Sequence, residues 1–139
     1  MSGPVRYLLD TNVVSETRKK RPDDKVLAFL NGTESSALYL GVLTLGELRR
    51  GVAQKGRSDP AMALSLASWV NGIEFSFADR ILGIDAATAR VWGELSAQRS
   101  RPVLDTLLAA TAIAHKLTLV TRNTSDVHDI DVPLLNPFS

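Results

Sequence analysis

The sequence predicts an α/β domain with a central parallel sheet flanked by helices. Three observations support this class: short apolar runs alternate with segments of helical spacing, polar residues follow directly after the apolar runs, and 45% of the 139 residues are hydrophobic. The length is that of one domain, and no repeat or linker divides residues 1–139.

Four apolar runs predict strands at residues 5–9, 37–42, 80–84 and 117–121. The first run stops at Asp10, which suits a buried strand whose carboxyl end leads into a helix. Residues 132–135 indicate a fifth strand, and Pro133 confines it to the edge of the sheet because proline cannot donate to a ladder.

Helices are predicted between these strands. One begins near Pro22 and closes before Gly32, and another opens at Thr44, where the pattern from Thr44 to Glu47 matches a capping box. Residues 54–60 hold one glycine and one proline and predict a loop. Further helices are expected over residues 61–73, after residue 85 and over residues 105–116, the last apolar nearly all round and therefore central.

Composition excludes several kinds of chemistry. The chain has no cysteine and two histidines, so disulfides, thiol nucleophiles, cysteine-zinc sites and multi-histidine metal sites are excluded. The net charge of +1 neither favours nor excludes nucleic acid. We expect a cytoplasmic protein without a membrane span, because the most apolar stretch is short and carries charged residues.

Four acidic residues lie at predicted strand ends or helix starts, among mostly apolar residues: Asp10, Glu47, Asp105 and Asp126. Each has a structural interpretation, as an N-cap for Asp10 and Asp105, as part of the capping box for Glu47, and as a turn former for Asp126. A parallel sheet would nevertheless bring them to one edge, where carboxylates repel unless a cation joins them. Oxygen ligands without histidine or cysteine favour Mg²⁺ or Mn²⁺, which can assist phosphodiester hydrolysis.

Four blocks in order then resemble the PIN-domain ribonucleases, most closely the VapC-type toxins of toxin–antitoxin pairs. They are LLDTNVVSE at 8–16, LTLGELRRG at 43–51, DTLLAATA at 105–112 and VTRNTSD at 120–126. The closing LNPF at 135–138 also looks like the ending of one VapC subgroup. The resemblance covers nearly the whole chain and implies a PIN-like, three-layer domain.

The resemblance also implies the site. Asp10 and Asp105 match direct ligands of Mg²⁺ or Mn²⁺, and Glu47 and Asp126 match acids that help to hold the metal or position the attacking water. Whether one or two ions take part stays open. Four polar residues match those that line such sites: Thr11, Asn12, Thr121 and Asn123. Each could equally serve only in local turn and cap bonding.

Basic residues follow the first two blocks. Arg18, Lys19, Lys20 and Arg21 form the only dense basic run, and Arg49 and Arg50 follow Glu47. They are either an RNA-binding surface that grips flanking phosphates or a solvated loop.

The leading hypothesis is a metal-dependent endoribonuclease, the toxin of a VapBC-type pair. The resemblance implies RNA as substrate, a cognate antitoxin, a homodimer, and operator DNA reached only through the antitoxin. A catalytically silent PIN-fold module acting through its antitoxin and operator DNA is the non-enzymatic alternative. An aspartyl-phosphate phosphatase is disfavoured, because Asn12 stands where such enzymes need a second aspartate.

Overall fold

The structure is a computed structural model that describes residues 3–139. Its centre is a parallel sheet of five strands in the order β3-β2-β1-β4-β5. The strands are short: β1 Tyr7–Leu9, β2 Leu38–Gly41, β3 Ile81–Leu82, β4 Thr118–Val120 and β5 Leu134–Leu135. In register, Leu8 of the central strand lies between Tyr39 and Leu119. The predicted fold class is confirmed.

Six helices cover the sheet, and their bounds are α1 Thr11–Glu16, α2 Asp24–Asn31, α3 Val42–Ser58, α4 Pro60–Ser76, α5 Ala86–Gln98 and α6 Val103–His115. Successive strand residues point to opposite faces, so β1 serves two cores. Leu8 packs with residues of α5 and α6, whereas Leu9 packs with residues of α1, α2, α3 and α4. The result is the expected three-layer arrangement.

Helix α6 lies at the centre of its layer, as its composition predicts. Ala109, Ala110 and Ala112 are fully buried, as is Thr111 apart from 1% of its surface. Small side chains on several sides of one helix allow its neighbours to approach closely. The first turn of α6 is thereby fixed at the carboxyl edge of the sheet, where Asp105 lies.

The loop predicted for residues 54–60 is wrong. Helix α3 continues to Ser58, and α4 begins at Pro60, with only Asp59 between them. Gly56 lies within the helix, and Pro60 occupies the first turn of α4, where a missing N–H costs nothing. The Asp59 carboxylate accepts from the Met62 amide at 3.1 Å and caps α4. The turn residues therefore mark a sharp helix–helix corner.

Two predicted caps are also wrong. Helix α3 begins at Val42 after Gly41, so Glu47 is its sixth residue and cannot close a capping box with Thr44. Asp105 is the third residue of α6, which begins after Pro102, and is not its N-cap. In both cases the local capping explanation fails, which leaves the two carboxylates free for another role.

Pro133 directly precedes the edge strand β5 and does not disturb its pairing with β4. The carbonyl of Pro133 accepts from the Leu119 amide at 2.9 Å, a bond that requires no N–H from proline. The next ladder bond runs from the Thr121 amide to the Leu135 carbonyl at 3.0 Å. Within the described residues, no helix combines the length and the apolar character that a membrane crossing requires.

Candidate active site

Asp10 is the most tightly held of the four acids. It follows β1, caps α1 and is 9% exposed. Its Oδ1 accepts from the Thr11 amide at 2.7 Å, and its Oδ2 accepts from the Thr121 hydroxyl at 2.7 Å and from the Asn12 amide group at 3.3 Å. Bonds to an ionised carboxylate are the strong ones, so this carboxylate is fixed in place. The predicted N-cap role is correct, and it leaves further oxygen lone pairs available.

Glu47 is fixed by a hydroxyl from the neighbouring helix. The Thr11 hydroxyl of α1 donates to Glu47 Oε1 at 2.8 Å. One turn earlier in α3, Thr44 is 1% exposed, and its hydroxyl lies 3.5 Å from the Leu9 carbonyl at the end of β1. Thr11 directly follows Asp10, and its hydroxyl therefore ties the start of α1 to the Glu47 carboxylate on α3.

Asp105 faces Asp10 across a small cavity of about 10 Å³. Both aspartates line it, together with Thr121, Asn123 and apolar residues of α6 and β4. Burial raises the pKa of the Asp105 carboxyl, and the negative charges of Asp10, Asp126 and Glu47 raise it further, in that order. Asp10 and Asp105 therefore lie together, and Glu47 and Asp126 are near enough for their charges to act on Asp105.

Asp126 is the most exposed of the four. It ends a short 3₁₀ turn, Thr124–Asp126, whose Asp126 amide bonds to the Asn123 carbonyl at 3.2 Å. Its charge reaches Asp105, yet no hydrogen bond to its carboxylate fixes it within the described residues. Asp126 is therefore the acid whose position depends most on its loop.

The predicted polar residues form one network around Asp10. Asn12 lies 3.4 Å from the Thr121 hydroxyl and accepts from the Arg122 amide at 3.2 Å. The Thr121 hydroxyl accepts from the Asn123 amide at 3.0 Å. All four of them, Thr11, Asn12, Thr121 and Asn123, therefore bond within the site, and the network ties the loop after β4 to the start of α1.

The chemistry of the site fits a hard divalent cation. Among residues 3–139, none of the four carboxylates forms an ion pair with lysine, arginine or histidine, so their charges are uncompensated. Four carboxylates with neighbouring hydroxyl and amide oxygens are the donors that Mg²⁺ and Mn²⁺ prefer. In the described part of the chain, however, no three acidic or imidazole side chains already stand close enough to hold one ion. The donor set fits, while the final ligand geometry is not preformed.

Half of the predicted RNA-binding cations are engaged with protein. Arg18 donates to Ser65 at 2.9 Å, Lys19 pairs with Glu16 at 2.8 Å, and Arg49 contacts Glu74 at 3.2 Å. The other three, Lys20, Arg21 and Arg50, are without an ion pair among the described residues. The basic run is thus in part a folded surface loop.

One cation beside the site escaped the sequence analysis. Arg122 lies between Thr121 and Asn123, both of which were predicted, and its backbone amide bonds to Asn12. The signal was present in the sequence, because Arg122 sits inside the fourth block. A single arginine inside a motif, unlike the run from Arg18 to Arg21, does not stand out by charge alone.

Comparison with known proteins identifies the family. The PIN domain model matches residues 7–132, which is most of the chain. The chain belongs to the PIN-domain family. The resemblance found in the four blocks is confirmed, since the relatives of this PIN protein include a protein named as a toxin and others named as VapC ribonucleases. Toxin FitB of Neisseria gonorrhoeae is 33% identical over 94% of this chain and 97% of its own length. The VapC ribonuclease Y4jK of Sinorhizobium fredii is 35% identical over 94% of this chain and 96% of its own.

Two solved structures from the comparison have the same fold as this chain. FitAcB from Neisseria gonorrhoeae superposes with a TM-score of 0.87 at 33% identity, covering 95% of this chain and 98% of that one. FitAB bound to an IR36 DNA fragment gives a TM-score of 0.81 at 31% identity, covering 96% of both chains. The PIN domain of this protein therefore shares its architecture with both of these solved chains over nearly their full length.

Proposed function

We propose that this PIN-domain protein is a metal-dependent endoribonuclease and the toxin of a VapBC-type toxin–antitoxin pair. Relatives over nearly the full length are named toxins and VapC ribonucleases. The observation that carries the proposal is that Asp10 and Asp105, both without an ion pair among the described residues, line one cavity. Burial and the charges of Asp10, Asp126 and Glu47 raise the pKa of Asp105 there. Such a site is built to receive a cation together with a phosphate.

The four acids divide by how they are held. Asp10 and Asp105 line the same cavity and would ligate Mg²⁺ or Mn²⁺ directly. The charges of Glu47 and Asp126 both act on Asp105, and these two carboxylates would help to hold the ion. When bound, the ion supplies neutralisation of the phosphate and a lowered pKa for water. Thr11 and Thr121 act as positioning residues for Glu47 and Asp10.

The reaction is hydrolysis of an RNA phosphodiester. Water attacks phosphorus, one new P–O bond forms, and the bond to the leaving ribose oxygen on the opposite side breaks. Glu47, whose carboxylate accepts from the Thr11 hydroxyl, would take the proton that the attacking water gives up. The leaving oxygen takes a proton from solvent. Without a cation, the negative charges of Asp10 and Asp105 would repel a phosphate from the cleft. A bound cation would remove this repulsion.

The partners follow from the surface and from the relatives. An apolar groove of about 190 Å³ lies between α1, α2 and α4, with Leu30, Ile73 and Phe77 among its lining residues. It has the size and character for an apolar anchor of an antitoxin segment, and operator DNA would be reached through that antitoxin. We further propose a cytoplasmic homodimer, in keeping with exposed apolar side chains such as Leu64 and Phe75.

Cleavage of RNA by pure protein tests the proposal. Wild-type protein freed of antitoxin is incubated with total cellular RNA and Mg²⁺, Mn²⁺ or a chelator, beside Asp105→Asn. Asp24→Asn is the matched control, because Asp24 is an exposed aspartate in the first turn of α2. We expect discrete cuts that need metal and Asp105 and survive in the control. Cleavage that persists in the chelator or in Asp105→Asn would refute the mechanism.

The non-enzymatic alternative is tested by the same experiment. A folded wild-type protein that binds Mn²⁺ and its antitoxin, yet cuts no RNA under any condition, would favour the regulatory module. FitAB and the VapBC2 pair of Rickettsia felis have both been solved on DNA, which makes operator binding the second measurement in that case.

A further inference from the structure

Arg122 is fixed at the edge of the acidic cleft by two contacts. Its backbone amide donates to Asn12 Oδ1 at 3.2 Å, and Asn12 in turn contacts Asp10. Its guanidinium lies over the ring of Phe138, with the guanidinium carbon 4.6 Å from the ring centroid. A cation held over an aromatic face keeps one orientation while its N–H groups stay available at the rim of the guanidinium plane.

The C-terminal segment builds the platform for this arginine. After β5 the Asn136 side chain accepts from the Phe138 amide at 3.0 Å, and the Asn136 carbonyl accepts from the Ser139 amide at 3.3 Å. Pro137 is buried, and Phe138 packs against the core formed by α1 to α4. The closing motif LNPF, which the active site does not use, thus orients the Phe138 ring beneath Arg122.

Charge balance gives Arg122 a role. RNA must approach a cleft of four carboxylates, so cations beside the cleft are needed to hold the flanking phosphates. Arg18, Lys19 and Arg49 are already bonded to protein groups. Arg122 is exposed and forms no ion pair within residues 3–139, while its neighbours Thr121 and Asn123 both line the cavity with Asp10 and Asp105.

We propose that Arg122 is a phosphate-binding residue for the RNA strand, held beside the acidic cleft by Phe138 at the C-terminus. The inference rests on the proposed ribonuclease function and deepens it. Arg122 acts as the binding residue, because its guanidinium can donate two parallel hydrogen bonds to a phosphate. Phe138 is a positioning residue, because it acts through Arg122.

Salt-dependent RNA binding tests this role. A fluorescein-labelled single-stranded RNA of random sequence is titrated with protein carrying Asp105→Asn, which prevents cleavage, at one fixed Mg²⁺ concentration and a series of KCl concentrations. Arg122→Gln is expected to weaken binding about tenfold at low salt. It should also reduce the slope of log K against log[KCl] by about 0.7, the value for one lost contact to single-stranded nucleic acid.

Three further variants separate the two roles. Arg122→Lys keeps the charge and should keep the wild-type slope. Phe138→Leu keeps apolar packing and the positive charge, so it should weaken binding about threefold without changing the slope. Arg57→Gln is the matched control, because Arg57 is exposed and lies ten residues beyond Glu47 on α3, about 15 Å along the helix. It should bind as the parent does.

The outcomes distinguish this inference from the proposed function. If Arg122→Gln leaves affinity and slope unchanged, or lowers affinity no more than Arg57→Gln does, the assignment of Arg122 is wrong even where wild-type protein cleaves RNA. If wild-type protein binds RNA with an Arg122-dependent slope but never cuts it, the ribonuclease proposal fails while the phosphate contact stands. Thermal unfolding of each variant confirms that the fold is intact.

Discussion

Replacing Thr121 tests whether the Asp10 carboxylate is charged and fixed, because the buried Thr121 hydroxyl donates to it. Thr121 is 2% exposed, and the substitution Thr121→Val keeps its shape while removing the hydroxyl. The bond to Asp10 Oδ2 at 2.7 Å has a charged acceptor, and such bonds contribute about 1.5–3 kcal/mol. The bond from the Asn123 amide belongs to an exposed residue and can pass to water, and the 3.4 Å contact with Asn12 is weak. We therefore expect Thr121→Val to lower the free energy of unfolding by about 2 kcal/mol.

Urea unfolding at neutral pH in a chelator measures this loss, and Thr111→Val supplies the control. Thr111 is 1% exposed, and its hydroxyl donates at 2.8 Å to the Leu107 carbonyl, a neutral acceptor within the same helix. Its replacement should cost about 1 kcal/mol or less. In the Asp10→Asn background the cost of Thr121→Val should fall towards that of the control. Equal losses for both threonines in the wild-type background would refute the view that Thr121 is bound to a charged, fixed Asp10.

Three further predictions concern ionisation and positioning. Because the pKa of Asp105 is raised, the folded state binds its proton more tightly than the unfolded state does, and the contribution of Asp105 to stability falls as pH rises from about 3.8 through the raised pKa. Urea unfolding of the metal-free protein should therefore show that Asp105→Asn is more stable than wild type at pH 7 and loses this advantage in acid. The pKa of Glu16 is lowered by its hydrogen bond to Lys19 and by the Asp23 amide, so Glu16→Gln should destabilise the folded protein at pH 7. The difference in unfolding free energy between this variant and wild type should shrink below about pH 4.5. Thr11→Val, which frees Glu47, should reduce RNA cleavage about tenfold with little change in RNA affinity, measured as a fall in kcat at constant KM.

The sheet and the location of the acids could be predicted because both depend on local patterns. Short apolar runs predicted β1, β2 and β4, and the carboxyl ends of parallel strands necessarily share an edge. Asp10, Glu47 and Asp105 could therefore be expected together before any distance was known. Their roles as metal ligands stay predictions.

The errors came from motifs whose meaning depends on tertiary context. Thr44 and Glu47 match a capping box, but α3 begins at Val42 because the strand ends at Gly41, so Thr44 turns inward to the Leu9 carbonyl. Gly56 and Pro60 predicted a loop, although Pro60 fits the first turn of a helix that Asp59 caps. The platform under Arg122 could not be predicted, because it joins the residue after β4 to the last turn of the chain.

Measuring metal binding and RNA cleavage on the same samples tests most directly whether the carboxylates at this sheet edge hold a metal that is needed to cut RNA. Mn²⁺ affinity and cleavage of total RNA are determined for wild type, Asp10→Asn, Asp105→Asn and the surface control Asp24→Asn. Both site variants are expected to lose at least about tenfold in Mn²⁺ affinity and to lose cleavage with it, whereas Asp24→Asn retains both. Wild-type Mn²⁺ affinity in Asp10→Asn and Asp105→Asn, or undiminished cleavage by either, would contradict the claim that the carboxylates at this sheet edge hold the metal that cuts RNA.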